Sequence, residues 1–242
     1  MLLRRITKHV KDQNWFAVLI DFIIVVFGVF IGIQVANWNG DRENRALEQE
    51  YLNRLHAEIE FTIKTNREGV NRELERVALL QEIGEALKNG ETAALTSDHC
   101  YALFRSHIFY RDVVAITSLN ELKATGQLLL ISDEDLRTEL ILFDQFNNDA
   151  AKMLDNIRID RMVLSRHHPD LMKLDPTDLF GERADCDFQA MTQDQIFINH
   201  FADNAGRFWA YSESVLKEEL NRLENTQAEL DRVLKRSHAE IK

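Results

Sequence analysis

Two cysteines are the first residues whose chemistry deserves weight. Cys100 and Cys186 are the only ones in 242 residues. In a reducing compartment they are ordinary buried thiols; in an oxidising one an even pair is a disulfide candidate. Closing the long loop between them would stabilise the chain by up to about 4.5 kcal/mol in the chain-entropy picture. His99-Cys100 with His107 is the nearest approach to a metal-ligand set. Its spacing is neither i, i+3 nor i, i+4, so one helix face does not gather the three. His167-His168 precedes Pro169 at a helix end, where imidazoles meet terminal carbonyls. No GxSxG, Walker loop, HExxH or CxxC occurs. The acids sit beside Arg and Lys on helix faces, as solvated surfaces do. We expect no catalytic residue, no cofactor and no metal ligand, and read the chain as not an enzyme.

The elements that would position any site begin with one apolar segment. Phe16 to Ala36 runs without proline and holds one acid, Asp21, and one amide, Gln34. At 1.5 Å per residue it spans about 30 Å, the thickness of a hydrocarbon core. Trp15 and Trp38 flank it as interfacial anchors. A cleaved leader has a shorter apolar region and small residues at its cleavage site; here bulky Gln34 would stand two residues before Ala36. A buried core helix would show a polar face, and this segment shows none. The expectation is a retained single-pass membrane helix over residues 15–38.

The flanks give its orientation. Arg4, Arg5, Lys8 and Lys11 precede the segment, while Arg42, Arg45 and Arg54 follow it among acids. Positive residues favour the cytoplasmic side. Residues 1–14 therefore read as a short basic cytoplasmic tail, apposed to the lipid bilayer. Residues 39–242 read as one extracytoplasmic domain. Beyond residue 38 the chain carries 25 basic and 38 acidic side chains. A domain that acidic repels phosphate backbones, so nucleic acid is not an expected partner.

With two prolines and nine glycines in the whole chain, the fold class reads as all-α: a membrane helix, then a long-helix bundle with coiled-coil character. Leu47, Tyr51, Leu55, Ile59, Ile63, Val70, Leu74, Val77, Leu80 and Leu87 form one stripe on a helix from Asp41 to Lys88. Asn37-Trp38-Asn39-Gly40 could bend it away from the apolar segment, and Asn89-Gly90 should stop it. A second helix is predicted over Ser97–Phe109 with Ser97 as its cap, and a third over Val113–Ala124. A fourth starts at Ser132 and continues to His168. Asp170–Ala190 is the most irregular stretch. The last helix begins at Thr192 or Gly206 and reaches Ile241. It carries Leu216, Leu220, Leu223, Gln227, Leu230, Leu234, Ser237 and Ile241 at alternating steps of four and three. Such a seam can close on the Asp41–Lys88 helix or pair with a second copy; the intramolecular antiparallel bundle is the simpler reading.

Within the apolar segment, Gly28 and Gly32 form a GxxxG pair, and Ala36 extends it by a turn. Small residues let two helices approach closely in lipid. Asp21 falls on the same stripe at 100° per residue. The stripe is either a contact for another membrane helix, in a second copy or another membrane protein, or a chance match in a glycine-tolerant setting.

Asp21-Phe22-Ile23-Ile24-Val25-Val26-Phe27-Gly28 followed by Gly32-Ile33-Gln34-Val35-Ala36-Asn37-Trp38-Asn39 resembles the N-terminal signature of a family of bacterial single-pass membrane proteins of unknown function. Leu119-Asn120-Glu121-Leu122, Thr125-Gly126, Leu130-Ile131 and Leu136-Arg137 resemble a second stretch of that family. Asp21 stands where the family usually has Glu, and Ala36 where Asn is common. The resemblance implies an anchor plus a helical domain, with a bacterial inner membrane as the expected location, and brings no activity. Two functional expectations follow: a non-enzymatic scaffold or accessory subunit acting through helix–helix contacts, and an extracytoplasmic sensor or small-ligand module signalling through a partner.

Overall fold

The structure is a computed structural model that describes residues 15–159, 161–178 and 184–235. The expected basic tail, residues 1–14, lies outside the described residues. The described chain is mostly helical. It divides into two compact units that meet between Glu50 and Tyr51.

The first unit is helical from Trp15, the start of helix α1 (Trp15–Asn89). The helix runs on directly through Asn37-Trp38-Asn39-Gly40, of the two courses the sequence left open. Its apolar part has a mean hydropathy of 1.8 over 18 residues, with none of that window buried by the rest of the chain. Among the described residues this is the one helix long and apolar enough to cross a membrane.

In the second unit α1 continues with one buried stripe. Tyr51, Leu55, Ile59, Ile63, Val70, Val77, Leu80 and Leu87 are buried. Leu74 is not: it is half-buried, and the neighbouring Glu73 takes the inward position. Gly90 ends the helix in the left-handed region at φ 75°, and the Glu91 amide donates back to the Ala86 carbonyl at 3.1 Å. That six-to-one bond satisfies a terminal carbonyl, and it needs a residue without a Cβ penalty at the turn.

Helix α2 (Ser97–Arg105) is capped by Thr96 rather than Ser97, because the Thr96 amide donates to His99 Nδ1 at 3.1 Å. An extended segment follows, and helix α3 begins at Thr117 (Thr117–Ala124), four residues after the expected start. Gly126, at φ 69°, turns the chain into a 3-10 turn over Gln127–Leu130. Helix α4 (Glu134–Ile159) is capped by Asp133, whose carboxylate accepts from the Leu136 amide at 2.9 Å. It does not run on to His168. Asn204 accepts from the Met162 amide at 3.2 Å and donates to the Met162 carbonyl at 2.6 Å. That clasp takes both backbone groups of Met162 out of helical pairing. Only a short turn, α5 (Leu164–His167), resumes.

The irregular stretch holds two short strands within a mostly helical chain. Met172–Lys173 (β1) pairs antiparallel with Asp185–Cys186 (β2), followed by α6 (Phe188–Met191). Asp194 then caps helix α7 (Gln195–Trp209), accepting from the Ile196 and Phe197 amides. The helix passes through a π-helical segment, Ala210–Lys217, into α8 (Glu218–Leu234). A π-helical turn fits an extra residue into the rotation. Here that puts two adjacent pairs, Tyr211 with Ser212 and Val215 with Leu216, into the core together.

The leucine seam is buried within the chain. Leu216, Leu220, Leu223, Gln227 and Leu230 are all covered, and α8 with the π segment packs on α4. Phe146 of α4 meets Arg222, and Asp133 meets Arg232, so the two helices run antiparallel. The second unit of α1 joins them through Arg67–Glu224 and His56–Asp231, both 2.8 Å. Lys235 leaves the helix at φ 54°. Ser237 and Ile241, the last seam positions, lie outside the described residues.

Candidate functional site

The residues singled out by sequence fall in two places, and the structure adds a third. In the first unit, Gly28 and Gly32 have nothing within 4 Å of where a Cβ would stand, and Ala36 and Trp38 are exposed. The small-residue stripe is thus uncovered by the chain itself. The side chains of Trp15 and Asp21 lie outside what is described.

In the second unit, Cys100 of α2 and Cys186 of β2 are bonded, with their Cα atoms 5.7 Å apart. Cys100 is 1% exposed. The bond fastens the β1–β2 hairpin to α2. Next to it, His99 has both ring nitrogens engaged: Nε2 meets Glu82 at 2.8 Å, and Nδ1 accepts from Thr96. His168 Nε2 and His200 Nδ1 share one hydrogen bond at 2.9 Å. Burial holds the His168 imidazole below its usual range; His200 and His167 act in the same direction and Asp194 opposes them.

The third place was not visible in the sequence. The segment from His107 to Ile116 has no regular secondary structure, yet it is partly buried. Such a strand of chain can be partly buried only if its backbone groups find partners. Side chains supply them. The Arg111 amide donates to Tyr211 Oη at 3.2 Å, and the Val114 amide to Glu219 Oε1 at 2.6 Å. Asn147 donates to the Val114 carbonyl at 2.9 Å. Arg158 donates to the Phe109 and Arg111 carbonyls. Helix α4 and the π–α8 run therefore clasp the segment from two sides, and Arg111 reaches back to Asn66 of α1.

The clasp concentrates buried polar groups. Glu219 is 4% exposed, and burial pushes its carboxyl up to about 7, with the Val114 amide and Arg111 pulling the other way. Burial likewise pushes the Tyr211 hydroxyl far above its usual range. Beside them, Glu73 pairs with Arg76 and accepts from the Tyr110 hydroxyl at 2.8 Å. Arg76 lies over the rings of Tyr101 and Phe208, and Arg105 over those of Tyr101 and Tyr110. Aromatic faces hold guanidinium groups in this way through their quadrupoles.

Chemically, this is an arrangement for holding chain against chain. Glu219, Tyr211, Asn147 and Arg158 all point their polar atoms at backbone of the same molecule. Perturbed acids do mark functional sites in many proteins, and structural networks perturb them equally. Among the described residues no group of three or more His, Cys, Asp or Glu is placed to share a metal ion. The sequence signal that could have found the clasp is weak: Glu219 sits at an inward position next to Leu220, which only a burial pattern read residue by residue would reveal. No family model, no curated protein and no solved structure matches this chain.

Proposed function

We propose that this is a membrane-anchored helical protein that works as a non-enzymatic scaffold or accessory subunit through helix–helix contacts in the bilayer. One observation carries the reading. The apolar segment is long enough to span a membrane and wholly uncovered by the chain, and its glycine stripe faces nothing. In water that surface would be a severe liability; in lipid it is at home, and small residues there favour close helix packing. Tyr211 and Glu219, buried in the second unit, support the same reading, since they accept from backbone amides of the chain itself.

The finer points belong to this proposal as well. The four bases before the segment favour a cytoplasmic N-terminus and an outward domain in a bacterial inner membrane. The resemblance around Asp21–Asn39 and Leu119–Arg137 supports kinship with single-pass bacterial proteins. Either a second copy or another membrane protein would meet the stripe.

Crosslinking in native membranes tests the contact. The parent chain should form a discrete adduct through the apolar segment. Replacing Gly28 and Gly32 with Ile places branched side chains at the point of closest approach and should abolish it. Phe30→Ile, off the stripe, should leave it intact. An adduct undiminished in Gly28→Ile, Gly32→Ile would sink the proposal and reduce the segment to an anchor.

A further inference from the structure

A second feature of the soluble unit points outward. Among the described residues, Arg105, Arg161 and Arg166 form no ion pair with a carboxylate, although acids outnumber bases 40 to 29 in the chain. The fold brings the three together around His107. Asn204 links the two stretches directly: it holds both backbone groups of Met162 and donates to Ser106 Oγ at 3.3 Å. Arg105 and His107 flank Ser106, and Arg161 precedes Met162. Helix α5, which carries Arg166, packs on α2, which ends at Arg105.

The cluster also carries unused polar atoms. Arg105 Nε and His107 Nδ1 are buried with no hydrogen-bond partner of good geometry. Buried polar atoms without partners are rare and ask for an explanation, because each loses its water without gaining a hydrogen bond. Arg105 is kept in place by ring faces, not by an acid: Tyr101 and Tyr110 lie 5.5 and 5.7 Å from its Cζ. The nearby acid, Glu73, is committed to Arg76 and the Tyr110 hydroxyl. Burial holds the His107 imidazole below its usual range, and Arg161, Arg166 and Arg105 push the same way against the Phe104 carbonyl. Arg161 and Arg166 are exposed, so a solute can reach them.

We infer that Arg105, His107, Arg161 and Arg166 form a binding site for a phosphate or phosphomonoester group. The chemistry fits that class. Guanidinium groups present planar forks of N–H donors that match phosphate oxygens two at a time. A dianion would relieve the mutual repulsion of three fixed cations and give His107 a reason to take up a proton. Arg161 and Arg166 contact the ligand from the solvent side, and Arg105, pinned between two rings, forms the floor. The site lies wholly within the second unit and stands independently of the membrane contact.

Phosphate on a headgroup and phosphate free in solution share this chemistry, and two arms separate them. The intact chain in a phosphate-free detergent is titrated with inorganic phosphate, using chloride at equal ionic strength as control. In a second arm the micelles carry phosphatidic acid, with phosphatidylglycerol as the diester control. Binding is read by calorimetry and by thermal unfolding. We expect saturable binding that is specific over the control, with the dissociation constant raised at least tenfold in Arg161→Gln, Arg166→Gln. Those two residues are exposed and, among the described residues, their side chains form no hydrogen bond or ion pair, so the variant should fold and melt like the parent without ligand. A response to free phosphate assigns a soluble ligand, and one confined to phosphatidic acid assigns a lipid headgroup. A response to neither, or one undiminished in the double variant, overturns the site.

Discussion

Arg111 lies across Gly69. A Cβ on Gly69 would overlap Arg111 Nη1 and stand 2.9 Å from Cζ, so the guanidinium rests directly on the α1 backbone. From there it donates to the Asn66 carbonyl at 3.3 Å and to the Asn66 side chain. A mid-helix glycine normally costs about 1 kcal/mol relative to alanine. Its place here is explained by the neighbour it admits. We therefore expect Gly69→Ala to destabilise the chain by about 1 kcal/mol net, because displacing Arg111 outweighs the gain in helix propensity. In an Arg111→Ala background the same substitution should stabilise, since only the propensity gain remains. Denaturant melts of the four proteins of this cycle give the sign directly. A Gly69→Ala effect of the same sign in both backgrounds would contradict the relationship.

The buried carboxyl of Glu219 should leave a mark on the pH dependence of stability. Its native pKa is raised by burial from 4.5 to about 7. Between those values the native state holds a proton that the unfolded state has released. Stability must then fall as pH rises from about 4.5 through 7 and level off above, with a span of about 3 kcal/mol at one unit per 1.36 kcal/mol. Glu219→Gln keeps an oxygen for the Val114 amide and removes the titration. The variant should match the parent near pH 4.5 and exceed it near pH 8. Comparing variant with parent cancels the carboxylates that act oppositely. Glu58 is one: its burial would raise it, but the Ser118 and Thr117 amides outweigh that and hold it low. A difference between variant and parent that is flat from pH 4.5 to 8 would show that Glu219 is ionised throughout.

Glu58 also shows where the sequence was legible and where it was not. The stripe of α1, the stop at Gly90, the left-handed Gly126 and the buried seam through Leu230 all follow from local periodicity and from residues that act on their own neighbours. Helix boundaries set by distant side chains do not. The start of α3 is fixed by Glu58, whose two oxygens accept from the Thr117 and Ser118 amides at 2.6 and 2.9 Å across 59 and 60 positions. The end of α4 is fixed by Asn204 in the same way, and no pattern near Ile159 announces it. The clasp around Arg111 is hidden for the same reason. Its partners, Tyr211 and Glu219, fall on a helix whose π turn shifts the register by a residue, so a uniform 3.6 period misplaces them. The arginine cluster depends on Asn204 too, because its side chain bonds both Ser106 and Met162.

The disulfide offers the last test, and it bears on both fold and location. Cys100 and Cys186 lie 86 positions apart, and their bond fastens a hairpin whose two strands are only two residues long. Thr92 and Gln189 share one exposed hydrogen bond nearby, at 3.1 Å. Such a hairpin is marginal alone, so the covalent tie should add to the burial of Met172 in ordering it. The chain-entropy relation gives a loss of about 4.5 kcal/mol on removing a bond that closes a loop of this size. Cys100→Ser, Cys186→Ser should therefore lower the melting temperature and open the residues from Asp170 to Met191 to protease before the helices are cut. The bond also requires an oxidising compartment, which an outward-facing domain would provide. Protein taken from membranes, with free thiols blocked at the moment of lysis, should accept no maleimide in denaturant until a reductant is added. In spheroplasts, added protease should remove the second unit. Maleimide labelling of both cysteines without reductant would remove the bond from the native protein. Protection of the second unit until the membrane is lysed would reverse the proposed orientation.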